Sequence, residues 1–71
     1  MKLFNVIFDN GLPHEDNNRW AKLMVFRNIE DAELETGKLC NEYFEDYEEP
    51  SVEIEEINEL DGYEVVLIKK S

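Results

Sequence analysis

The segment between Asn28 and Pro50 constrains the fold most, because it is the only stretch with helical periodicity. At 100° per residue, Ile29, Ala32, Thr36, Leu39, Cys40, Tyr43, Phe44 and Tyr47 fall within one arc of about 140°. Glu30, Asp31, Glu35, Glu42, Glu45, Glu48 and Glu49 fall outside it, with Leu34 as the apolar exception. Asn28 is a good N-cap, and Asp31 places a carboxylate in the first turn, where the helix dipole favours it. Pro50 disfavours helical geometry at Glu49. The pattern predicts one amphipathic helix over about 29–48. Gly37 inside it costs about 1 kcal/mol relative to Ala, which suggests a kink or close packing there.

Everything around this helix has period two. Phe4, Val6 and Phe8 alternate with Leu3, Asn5 and Ile7, and Asn10-Gly11 and Pro13 then stop the run with turn chemistry. A polar loop leads to a second strand from Trp20 to Arg27, in which Trp20, Met24 and Phe26 alternate with Ala21, Leu23 and Val25. After Pro50, Ser51 to Ile57 reads as a third strand, and its phase slips at Glu56 as if at a bulge or an early end. Asp61-Gly62 is a hairpin signal before a final strand from Tyr63 to Lys69. The expected fold is α+β, β-β-α-β-β: a single compact domain with a four-stranded, mainly antiparallel sheet and the helix on one face. Strands one and two are apolar on both faces, so Leu3, Ile7, Ala21, Leu23 and Val25 are left for another partner, a second copy being one candidate.

Charge divides the chain. Overall there are 18 Asp and Glu against 7 Lys and Arg, a net −11. Residues Glu30 to Glu64 hold 15 acids and a single base, Lys38, for a net −14, whereas the remainder is +3. An apolar share of 42% is enough for a folded core despite this charge. Direct nucleic-acid binding and anionic membrane surfaces are disfavoured, since both require an ordered basic footprint. No run approaches the roughly 18 apolar residues of a membrane span, and the start Met1-Lys2-Leu3-Phe4-Asn5 does not read as a signal peptide. Cys40 is the only cysteine, which leaves no internal disulfide and makes a reducing, cytoplasmic setting the expectation.

Catalytic chemistry finds little support in the residues. Candidate nucleophiles are Thr36, Cys40, Ser51 and Ser71, with His14 as the only histidine. Cys40 lies on the apolar arc, where cysteine usually behaves as a small core residue, and His14 lies in a polar loop beside Glu15 and Asp16. One histidine and one cysteine do not make a zinc site. The oxygen-rich stretch from Asp9 to Asn18 lacks the EF-hand order of ligands. The expectation is a protein that is not an enzyme, with no catalytic, cofactor or metal residues.

The acidic half is therefore the functional feature. Asp31, Glu35, Glu42, Glu45 and Glu49 are spaced by three, four or seven residues, one or two turns of the predicted helix. Glu53 and Glu55 share one face of the third strand, while Glu59, Asp61 and Tyr63 surround the last turn. Carboxylates at this density oppose folding through self-repulsion and offer a surface for a basic partner. In size, charge and compactness the chain resembles the small acidic inhibitors of phages and mobile elements, among them DNA mimics acting on restriction enzymes or CRISPR effectors. That resemblance rests on no shared motif and carries over no functional residue. It implies a basic, nucleic-acid-binding protein as partner, with carboxylates replacing phosphates. Of the three tyrosines that could add an aromatic anchor, Tyr43 and Tyr47 lie on the apolar arc and are expected in the core, which leaves Tyr63, beside the acidic turn, as the better candidate. The competing expectation is an interaction module that dimerises or joins a complex through its apolar sheet face, with acidity serving only solubility.

Overall fold

In a computed structural model, which describes residues 1–70, the chain is α+β with one helix, a three-stranded sheet and a separate small hairpin. Ser71, weighed above as a nucleophile, lies outside the described residues. Strand β1 (Lys2–Asp9) is central, flanked by β2 (Arg19–Phe26) and β3 (Ser51–Ile57), both antiparallel to it. Its central place follows from its composition: Phe4, Val6 and Phe8 are fully buried on one face, while Leu3 and Ile7 are half-buried on the other. The helix α1 (Ile29–Tyr43) covers the first face with Ala32, Cys40 and Phe44, and Trp20, Met24, Phe26, Leu39, Val52 and Ile54 complete the core. Thr36, also fully buried, satisfies its hydroxyl by donating to the carbonyl of Ala32 at 2.6 Å.

Asn28 caps α1 as expected: its backbone is extended and its Oδ1 accepts from the Asp31 amide at 2.8 Å. The C-terminus differs from the expected 48. Regular helix stops at Tyr43; Phe44 caps it, donating its amide to the Cys40 carbonyl at 3.0 Å, and Tyr47 turns back to donate to the Phe44 carbonyl. The last turn holds no basic residue, so the carboxylates that follow it oppose the negative end of the helix dipole. The buried Phe44 ring, met edge-on by Tyr47 at 5.6 Å, holds this turn against the core. Gly37 lies within the continuous helix, and no atom comes within 4 Å of the position its Cβ would take, so close packing is not its reason.

Two further expectations are corrected. No bulge occurs at Glu56: the β1–β3 register runs unbroken from Asp9↔Ser51 to Leu3↔Ile57. Glu56 opposite Phe4 is accommodated at the sheet end by Lys2, whose Nζ lies 3.4 Å from its carboxylate. The fourth strand does not join the sheet. Glu59–Leu60 (β4) and Tyr63–Glu64 (β5) form a hairpin of their own, and residues 65–70 have no strand assignment. Asp61 and Gly62, with φ of 52° and 83°, make the tight turn that folds this hairpin directly after β3. The ladder of this hairpin ends where the Val65 amide donates to the Asn58 carbonyl at 3.0 Å, short of β3.

Candidate protein-binding surface

The Asp9 end of the sheet is built by a loop that the Asn10-Gly11 dipeptide organises in an unexpected way. Asn10 is not the tip of a tight hairpin but a buried hub for residues 10–18. Its Oδ1 accepts from the amides of Leu12 (3.1 Å) and Asn18 (3.0 Å), and its Nδ2 donates to the Asp16 carbonyl at 2.8 Å. Gly11 adopts φ +81° and lies against the Glu49 carbonyl so closely that a Cβ would collide with it. The loop after α1 is thus docked on Gly11, and Gly11, Leu12, Asp46, Tyr47, Glu48 and Glu49 line a shallow hollow of ≈ 470 Å³.

Within this end the carboxylates are concentrated. Glu42, Glu45, Asp46, Glu48 and Glu49 are all exposed, and none has an ion-pair partner among the described residues. Tyr43 and Tyr47 stand among them. Tyr43 packs edge-on against Phe8 (5.4 Å) and Trp20 (5.2 Å) yet keeps a substantial part of its surface in solvent. The helical phase expected both tyrosines in the core; instead Tyr43, in the last position of α1, and Tyr47, beyond the helix end, sit at its rim with one part packed and another exposed.

The other candidate residues are placed elsewhere. Asp31 is paired with Arg27 at 3.0 Å and Glu35 lies 3.7 Å from Lys38, whereas Glu30 and Glu33 beside them have no ion-pair partner among the described residues. Glu53 and Glu55 lie on the sheet face opposite the helix, as their register with Ile7 and Asn5 shows. There Arg19 reaches across β1, bonding Asp9 and Glu53 at 2.9 Å each. Glu59, Asp61 and the 78% exposed Tyr63 sit on the hairpin beyond Ile57, at the far end of β3. That strand alone separates them from Glu49 by on the order of 20 Å. The candidate carboxylates do not form one face: they divide among the Asp9 end, the open sheet face and the hairpin.

Asp46 and Glu48 were not among the sequence candidates, because on an ideal helix they fall outside the arc shared by Asp31, Glu35, Glu42, Glu45 and Glu49. The signal that identifies them is the plain run Glu45-Asp46-Tyr47-Glu48-Glu49 once it leaves the helix.

Three groups have displaced proton affinities. The Gly11 amide (2.7 Å) and the Arg19 guanidinium hold the Asp9 carboxyl below its ordinary value of 3.8, and Asn17 Nδ2 assists at 3.0 Å. Donating to the Asp9 and Glu53 carboxylates raises Arg19 in turn. Burial, with the Asp9 charge second, pushes the Cys40 thiol up, which disfavours the thiolate that reactivity requires. Among the described residues no three histidine, cysteine or carboxylate groups converge as metal ligands, and no helix is long and apolar enough to cross a membrane.

The chain matches no family model, no curated protein sequence and no solved structure.

Proposed function

We propose that this protein is a non-catalytic binding protein whose unpaired carboxylates occupy a basic, nucleic-acid-binding surface on another protein, in the manner of a phage or mobile-element DNA mimic. The observation that supports it is the clustering of Glu42, Glu45, Asp46, Glu48 and Glu49 at a helix C-terminus without one compensating base. Five of the other acids are paired, Asp31 with Arg27, Glu35 with Lys38, Asp9 and Glu53 with Arg19, and Glu56 with Lys2; the remaining acids, unpaired among the described residues, are spread along the chain and do not form a run like Glu45 to Glu49. At the Asp9 end the dipole and the carboxylates share one sign, an arrangement that opposes stability and steers a cationic partner. Tyr43 and Tyr47 supply aromatic surface beside the charges, the combination found at interface anchors. The mechanism is competition, with carboxylates standing where phosphates would bind and association weakening as salt rises.

The test is charge reversal. With Glu42, Glu45 and Glu49 changed to Lys, the protein keeps its circular dichroism but no longer retains a DNA-binding protein from a host lysate. The wild-type complex elutes both with salt and with competing duplex DNA. Retention of the same partner by the triple variant refutes the reading.

A further inference from the structure

The sheet face opposite the helix carries a second surface, independent of the acidic end. Leu23 (60% exposed) and Val25 project from β2, beside Leu3 and Ile7 of β1. The C-terminal segment crosses the Met1 end of this face: Val65 and Leu67 meet Leu3 and Ile57 there, and Leu67, Ile68 and Lys69 line a hollow of ≈ 540 Å³ with Met1 and Val25. Ile68 stands 88% exposed at its rim. A strand-like apolar run, Val65-Val66-Leu67-Ile68, thus lies on the surface with no strand partner.

The dimensions of the molecule show how much surface is left over. It exposes 5770 Å², whereas a globular monomer of 8.4 kDa exposes about 4,600 Å². Its radius of gyration is 13.9 Å, against about 11 Å for a compact chain of this length. The excess, about 1,200 Å² per chain, exceeds the roughly 800 Å² that each partner contributes to a standard interface.

Charge selects the occupant. Two bodies of net −11 repel, and they can approach only where the local charge is not negative. Lys69 lines the hollow, Lys70 follows it and Lys2 neutralises Glu56 beside it, while Glu55, unpaired among the described residues, lies further along this face opposite Asn5. We propose that a second copy of this chain occupies the surface in a two-fold contact, Leu23 of each copy entering the hollow formed by Met1, Val25, Leu67 and Ile68 of the other. A knob beside its own hole is what a self-complementary interface needs. The Asp9 ends stay free, so the dimer displays two acidic ends and binds a repeated target with avidity.

Sedimentation equilibrium of the full chain, in a series reaching about 1 mM, tests this because dimer stability depends on protomer concentration. The expected mass is twice 8.4 kDa, with dimerisation strengthened by salt, opposite to the salt response of the acidic end. Leu23→Glu and Ile68→Glu, both at exposed positions, each return the mass to 8.4 kDa with unchanged circular dichroism. A monomer throughout, a dimer untouched by both substitutions, one that weakens with salt, or open-ended assembly overturns the proposal.

Discussion

Of the three glycines, Gly11 is the one where an added methyl group meets other atoms, and Gly11→Ala tests how the acidic loop is held. Two costs combine. Alanine at φ +81° occupies the left-handed region, at about 1–2 kcal/mol. Its Cβ also enters the space of the Glu49 carbonyl, and such overpacking costs about 1–3 kcal/mol. The atom in the way is backbone, on a segment tied to β3 through Pro50, so no rotamer change relieves it. The sum, about 2–5 kcal/mol, lowers Tm by roughly 10 °C or more, since 1 kcal/mol moves a domain of this size by about 4–8 °C. Gly37→Ala provides the control. That position has no neighbour within 4 Å and lies inside α1, so the same chemical change stabilises by about 1 kcal/mol. Thermal and urea unfolding of the two variants against wild type decide the matter. A loss below about 1 kcal/mol at Gly11 refutes the reasoning, because it would mean that the acidic loop is not docked there. Equal destabilisation at both positions refutes it too.

Two other perturbations probe the same end. Asn10→Ala removes the three hydrogen bonds to backbone groups that organise loop 10–18, together with a longer one from Asn17 Nδ2; because water can reach the freed backbone groups, the loss is about 2–3 kcal/mol, and an unchanged urea midpoint contradicts the hub. Asp9→Asn destabilises at neutral pH, and the difference from wild type shrinks with acidification. The Asp9 carboxyl is depressed in the fold, so its contribution is complete above 3.8 and is lost as pH falls through the lower folded value. A difference that stays constant from neutral pH to about pH 2 rejects that role.

Much of the fold was legible because each signal was local. The alternation of Phe4, Val6 and Phe8 against Leu3 and Ile7 placed β1 between two sheet faces, and Asn28 marked the helix start to the residue. The Asp61-Gly62 turn was equally plain, but its consequence was not. The hairpin it makes stops at the Val65–Asn58 hydrogen bond, and whether the chain beyond rejoins the sheet is settled only in three dimensions. The helix end was misplaced for a related reason. Pro50 sets only the last position a helix can reach, whereas the actual stop reflects burial of Phe44 and the docking of the following loop on Gly11.

The same division holds for the candidate site. Sequence alone determined that the charge is unequally shared, −14 over Glu30 to Glu64, because ionisation at neutral pH follows from residue type. It also determined where the helix begins and where the first three strands run, since periodicity is a property of neighbours along the chain, but not where the helix ends or whether the last strand forms. Only the tertiary structure decided which acids are neutralised. Arg19 meets Glu53 by reaching across β1 from a distant strand, while Glu42 to Glu49 meet no base. Pairing is a matter of ångströms in space, and residues 34 apart in sequence acquire that proximity only when the sheet forms.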